Sequence, residues 1–217
     1  MQIGAIVDFW RGQQKPDHNG RWTHSLDRPL LDAGPHSFNL DYPVSPYVGA
    51  VLTAPVVMIS SNAGYDSDKT PTEFPDAASI HAYVACVDEP AGADWKSVSR
   101  YYDKTNYGKF IDSGQAVLIN ATPYRSPMLS DEPDNIDMLP RLPTSIFNRD
   151  WLLQAVLPLA AKGERLIVVK RGIQRWQLPS SFPTSPGVIV EPNPRFSRFG
   201  KERIRIIEKF LVDMAQT

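Results

Sequence analysis

An α/β fold built on a parallel sheet is what this 217-residue sequence predicts, from three observations. Short apolar runs such as Val56-Val57-Met58-Ile59 break off in small polar residues, as a strand buried on both faces does when it hands the chain to a loop. The stretches between them carry apolar residues at helical spacing. Strand and helix alternate at least four times, a pattern that packs helices on both faces of a parallel sheet. No repeat or composition break divides the chain. One domain over 1–217 is expected, with 1–50 as an irregular N-terminal arm.

In that arm, Ile3 to Trp10 has the length of a short strand, whereas Gly12 to Gly20 is polar and turn-rich. Pro29, Pro35, Pro43 and Pro46 break anything longer. Tyr42 to Gly49 reads as an extended segment packed on the domain surface, since a flexible linker would expose its aromatics without purpose. The strand from Val56 organises the rest of the chain. Pro55 precedes it where no ladder hydrogen bond is lost, and Ser60-Ser61-Asn62-Ala63-Gly64-Tyr65-Asp66 leaves it at the carboxyl edge. A polar loop over 66–75 holds Phe74. Asp76 then caps a helix with Ile80, Tyr83, Val84 and Val87 on one side.

A second helix is expected from Asp94 to Lys104, with Trp95, Val98, Tyr101 and Tyr102 inward, and a short helix over Phe110 to Ser113 is only weakly marked. Ala116 to Arg125 repeats the pattern of the first strand. Residues 126–143, rich in Pro, Asp and Met, read as a long loop. Phe147 to Ala161 is a helix with Trp151, Leu152, Ala155, Val156 and Leu159 inward, kinked by Pro158 and stopped by Gly163. Leu166 to Val169 is a third strand, followed by Lys170-Arg171-Gly172 and a short helix through Trp176. Gly187 to Val190 is a fourth strand. The last helix, Lys201 to Met214, aligns Ile204, Ile207, Leu211 and Met214 as a buried stripe widened by Phe210.

Composition narrows the function. A formal net charge of −1 excludes a globally basic nucleic-acid coat while leaving room for a local patch. The single cysteine, Cys86, excludes an internal disulfide and a four-cysteine metal site, and its apolar setting fits a buried structural thiol. His18, His24, His36 and His81 show no zinc-ligand spacing, and no glycine-rich phosphate loop or G-x-S-x-G elbow occurs. Neither metal nor cofactor is expected. No apolar stretch approaches the length of a membrane span, and Met1-Gln2-Ile3-Gly4 lacks the basic start of a leader, so no membrane partner and a cytoplasmic location are expected.

Three strand ends carry carboxamides: Asn62, Asn120 and Asn193. An amide both donates and accepts, so it can pair with a base edge or hold a water; the alternative is that each asparagine only completes a turn. Between Arg195 and Lys209 six basic residues face Glu202 and Glu208, and Lys170, Arg171 and Arg175 follow the third strand. Beside Phe196, Phe199 and Trp176 they suit a phosphate backbone with an exposed base, or else form a solvated basic face.

In order and spacing these segments resemble the motifs of the uracil-DNA glycosylase superfamily. Ser61-Asn62-Ala63-Gly64-Tyr65 is similar to its first motif, and Val117-Leu118-Ile119-Asn120-Ala121 to the strand whose asparagine recognises the base. Glu191-Pro192-Asn193-Pro194-Arg195-Phe196-Ser197, with Gly200, resembles the late motif ahead of the DNA-intercalating loop, and Tyr42 to Gly49 resembles a segment before the first motif in bacterial members.

The resemblance implies a three-layer α/β/α sandwich with a central four-stranded parallel sheet. It implies a monomeric DNA-repair hydrolase that cuts uracil, or a related damaged base, from single- or double-stranded DNA after flipping it out. In that scheme Asn62 positions the water, Asn193 and Glu191 occupy the late catalytic motif, and Asn120 pairs with the base while Tyr65 or Phe74 stacks on it. Arg195, Phe196, Ser197, Arg198 and Lys201 hold the DNA. Glu191 stands where the family usually has histidine, and Ala63 where several branches have proline. Those departures support the alternative of a nucleic-acid or nucleobase binder of the same fold without hydrolysis, and a protein-interaction scaffold docking through 126–143 is a third reading.

Overall fold

The computed structural model describes residues 1–98, 102, 105–192 and 198–216. The helices are α1 Ala5–Trp10, α2 Arg28–Ala33, α3 Thr70–Glu73, α4 Ala77–Asp88, α5 Gly108–Asp112, α6 Pro133–Met138, α7 Pro143–Trp151, α8 Leu157–Ala161 and α9 Lys201–Ala215. The strands are β1 Tyr47–Gly49, β2 Val56–Gly64, β3 Ala116–Ser126, β4 Leu166–Val169 and β5 Val188–Val190. They form one mixed sheet in the order β1-β3-β2-β4-β5. β2 lies between β3 and β4 and runs parallel to both, with Val57 opposite Val117 and Ile167. β5 runs parallel to β4. β1 is antiparallel to β3, Tyr47 facing Ile119.

The antiparallel fifth strand corrects the expected surface segment. Tyr47, Val48 and Gly49 are buried at the sheet edge rather than laid over the domain. Three residues are too few to show a period of two. Their sheet position instead rests on Gly49, at φ 114°, where a Cβ would come within 2.6 Å of the Ala116 carbonyl oxygen.

The amino-terminal segment is structured as well. Ile3 to Trp10 contains helix α1 where a strand is expected, because Ile6 and Trp10 stand four residues apart and both are fully buried. A buried polar network joins this segment to β3 and α7. Asp27 accepts from Tyr124 Oη at 2.7 Å, from the Thr144 amide at 3.1 Å and from the Thr144 hydroxyl. Burial raises the Asp27 carboxyl above its ordinary value, against these donors. On the same segment His24 stacks on Phe9, which stacks in turn on Phe147.

Asp76 caps α4 as the sequence predicts, accepting from the Ser79 amide at 2.8 Å, and α4 buries Tyr83, Cys86 and Val87. Burial pushes the Cys86 thiol up to about 11. The helix expected from Asp94 is absent over 94–98, which form turns. There the Asp94 carboxylate takes the Lys96 amide and the Asp94 carbonyl the Ser97 hydroxyl, a local competitor to helix. Of the rest of that stretch, 99–101, 103 and 104 lie outside the described residues.

The expected loop over 126–143 is instead largely helical, with 3₁₀ turns at Leu129–Asp131 and Leu139–Arg141 flanking α6. Pro133, Pro140 and Pro143 open helical turns there, where a missing amide costs nothing. The helix from Pro143 to Ala161 is continuous through a π turn at Leu152–Val156. Pro158 lies two residues after its end, in the first turn of α8, and the widened turn accommodates its ring and missing donor. Among the described side chains of α9, Ile207 is fully buried, while Ile204, Phe210 and Leu211 are half-buried and Met214 is exposed, so the expected stripe stops short of the helix end. No helix among the described residues is long and apolar enough to cross a membrane.

Candidate functional site at the carboxyl edge of the sheet

Because β2, β3, β4 and β5 run the same way, their carboxyl ends share one edge. Ser60 pairs with Asn120 and Asn62 with Thr122, so these four side chains stand on one face of neighbouring strands. Asn62 is half-buried. Its Nδ2 donates to the Ala63 carbonyl at 2.7 Å and to the Ser126 carbonyl at 3.2 Å, pinning the tip of β2 to β3. Its Oδ1 takes no hydrogen bond from the described residues.

Asn120 is not a strand tip. β3 continues six residues past it to Ser126, and Asn120 is fully buried under the segment that leads into β1. Its Nδ2 donates to the Ser45 carbonyl at 2.7 Å and its amide to the Pro46 carbonyl at 3.0 Å. Its carbonyl accepts from Asn148 Nδ2 at 3.0 Å, and Asn148 in turn accepts from Trp10. Among the described residues the carboxamide oxygen of Asn120 has no partner, and neither do the hydroxyls of Ser45 and Thr122. Buried acceptors and donors are normally paired, so three such groups on two adjacent segments mark a polar position the protein does not satisfy by itself.

Glu191 ends β5, two strands and roughly 10 Å from β2 by ordinary strand spacing. It is buried, and its Oε2 accepts from the Gly200 amide at 3.4 Å. The carboxylate therefore lies against the start of α9, where a helix favours negative charge. Asn193, Arg195, Phe196 and Ser197 lie outside the described residues. Arg198 and Lys201 are exposed. Farther along, Lys109 pairs with Glu208 and Lys209 with Asp213, which partly neutralises the basic face of α9.

The aromatic residues fall differently from expectation. Phe74 is buried, stacked with Tyr42 at 5.7 Å, edge-to-face with Tyr83 at 5.4 Å and with the Arg125 guanidinium carbon 5.1 Å over its ring, so it is not open to a base. Tyr65 is half-buried with its ring 6.4 Å from Tyr42, and remains the outer aromatic of the edge. Trp176 and Phe199, expected beside an exposed base, are core residues. Trp176 donates to the Ser60 carbonyl at 2.8 Å, while Phe199 packs on Tyr107 and pairs its backbone with the Asn106 side chain.

Two residues had no sequence signal for their surroundings. Lys170, read as a surface cation, is buried at the end of β4 with Nζ 2.6 Å from Tyr107 Oη and 4.7 Å from the ring centroid. Burial, reinforced by the nearby Arg171, lowers it to about 7. Arg125 is also buried, near the end of β3, and pairs with Glu73 at 3.1 Å. Both belong to the charged types least expected inside, so hydropathy places them at the surface. Comparison with protein-family models, curated proteins and solved structures yields no match to the chain.

Proposed function

We propose that this protein is a DNA glycosylase that hydrolyses the N-glycosidic bond of a flipped-out uracil or related damaged base. One observation carries the reading. A buried carboxamide, Asn120, is held by its nitrogen on Ser45 and keeps its oxygen without a partner among the described residues, one strand away from Asn62 at the carboxyl edge. A fixed acceptor of this kind suits the ring N–H of a pyrimidine imide, which rotating solvent would read far less selectively. The arrangement of β3, β2, β4 and β5 in parallel supports the sandwich this reading requires, as do Tyr47 reaching the α4 carbonyl of Val87 and Tyr124 reaching the Asp27–Thr144 network.

In the reaction, the C1′–N bond breaks with oxocarbenium character, a water oxygen adds to C1′, and its proton ends on the released base. Asn62 Oδ1 accepts a hydrogen from that water and orients it without deprotonating it. Arg198 and Lys201, both exposed, contact the phosphates. The test is incubation with duplexes containing uracil, hypoxanthine or xanthine and with mismatched duplexes, followed by alkaline cleavage of abasic sites. Cleavage that is lost in Asn120→Ala is expected; no cleavage of any substrate refutes hydrolysis. A second reading, base binding without turnover, is favoured by Glu191, which stands at the late motif but is directed to Gly200. DNA binding that weakens with salt in a turnover-dead protein supports it.

A further inference from the structure

The carboxyl edge carries a division of charge that follows the strand order. The segments leaving β2 and β3, 65–73 and 127–137, hold seven acidic residues against one basic residue, Lys69. The segments leaving β4 and β5, 171–178 and 192–205, hold seven basic residues against one acidic residue, Glu202. β3 and β2 are neighbours at one side of the edge and β4 and β5 at the other, so the sign changes between β2 and β4. The chain also reverses there. It passes from β2 to β3 on one side and then crosses to β4 on the other, the kind of switch point at which parallel sheets take their ligands.

The packing holds the two halves apart and at the surface. On the acidic side the Tyr65 amide donates to the Ser126 carbonyl at 3.1 Å, and Glu132 is tied to the Ser126 hydroxyl, so the chain carrying Asp66 and Asp68 meets the chain carrying Asp131 and Asp134. Asp41 joins them, its amide on Asn39, whose backbone bridges to Arg125. Asp66 pairs with Lys69, but no cation among the described residues pairs with Asp41, Asp68, Asp131 or Asp134, all exposed. On the basic side the turn after β4 is seated on β2 at Gly172, where a Cβ would lie 1.8 Å from Ser61 Oγ, and this brings the exposed Arg171 to the boundary. The Gly200 amide on Glu191 sets the start of α9, with the exposed Lys201, at the end of β5. Three strand spacings, roughly 14 Å, separate β3 from β5, against a Debye length of about 8 Å at physiological salt, so the two halves do not cancel.

A polyanion meets the halves differently. Phosphates over β4 and β5 find cations and release their counterions, whereas phosphates over β2 and β3 face unpaired carboxylates and are repelled. A duplex is stiff over tens of base pairs and cannot leave the edge at its midpoint. A single strand can turn away. We infer that the nucleic acid taken at this edge is single-stranded, with its backbone held on the β4–β5 half and turned out to solvent at the boundary with β2. The inference rests on the reading of this edge as a nucleic-acid site and not on hydrolysis there.

The test is fluorescence anisotropy of the intact protein with a labelled sixteen-nucleotide oligothymidylate and with its duplex on oligodeoxyadenylate, each titrated at several salt concentrations. The single strand is expected to bind roughly ten-fold tighter than the duplex or more. Arg171→Gln and Lys201→Gln are each expected to weaken single-strand binding and to lower its salt slope by about 0.7. The triple variant Asp68→Asn, Asp131→Asn, Asp134→Asn, at exposed positions without ion pairs, is expected to tighten duplex binding roughly five-fold and leave the single strand within about two-fold. Duplex binding as tight as single-strand binding, a triple variant that leaves their ratio unchanged, or a salt slope untouched by Arg171→Gln and Lys201→Gln overturns the inference. No binding of either form at low salt overturns it together with the nucleic-acid reading. Failed excision beside an intact single-strand preference removes hydrolysis alone, so the two readings fail separately.

Discussion

Lys170 makes stability depend on pH in a direction opposite to that of most buried acids. An ordinary lysine titrates at 10.5, whereas Lys170, enclosed at the end of β4 beside Tyr107, titrates at about 7. Between those values the unfolded chain holds a proton that the folded chain does not, so stability rises with pH across the window and is lost as pH falls toward 7. At 1.36 kcal/mol per unit the full span is worth at most about 5 kcal/mol. Between pH 7.5 and 9.5 the Lys170 contribution is a gain of about 2 kcal/mol, opposed by about 1 kcal/mol from Cys86, whose raised thiol stays protonated while the unfolded one ionises. Urea denaturation of the parent beside a variant without Lys170 isolates the first of these. With a slope of about 2 kcal/mol/M, the parent's midpoint gains roughly 1 M on the variant's over those two pH units. Lys170→Met keeps the length of the side chain and removes the titration, and the gain with it. A variant whose midpoint climbs as steeply as that of the parent refutes the assignment to Lys170.

Two other substitutions probe the edge of the sheet. Asn120→Asp places a carboxylate against the Ser45 carbonyl in a fully buried position and is expected to cost roughly 3 kcal/mol or more at neutral pH. Because the folded state raises the carboxyl, that loss shrinks as pH falls, which thermal unfolding at pH 5 and pH 7 will show. Gly172→Ala meets both a φ of +70° and a Cβ position 1.8 Å from Ser61 Oγ. It is expected to destabilise by roughly 1–3 kcal/mol, and the double variant with Ser61→Ala recovers only part, since the backbone strain stays.

Buried strands and capped helices were legible because their signals are local. The run from Val56 and the pairing of Asp76 with Ser79 each announce themselves within a few residues. β1 did not, since its three residues are held by a long-range contact of Gly49 with β3. The proline-rich stretch 126–143 reads as a loop, but Pro133, Pro140 and Pro143 serve as helix starts, a distinction that depends on where the preceding residue points. At the site, Asn62 and Asn120 were found as a pair of residue types, but the burial of Asn120 and the continuation of β3 beyond it are tertiary facts. Trp176 misled for a similar reason: a tryptophan among arginines reads as a platform, yet its indole hydrogen is used on Ser60 in the core. Arg125 and Lys170 show the limit most clearly, because nothing in a sequence distinguishes a buried cation from a solvated one.

Both outermost strands of the sheet, β1 and β5, are only three residues long. A neighbouring molecule trying to extend the ladder would find little more than one or two hydrogen bonds on either flank before the chain turns away. The long, apolar β2 and β3, whose stacking between molecules would be hardest to reverse, are shielded in the interior of the sheet. Concentrated samples of the folded protein should therefore resist fibril seeding, and conditions that strip β1 from β3 should be the ones that promote it.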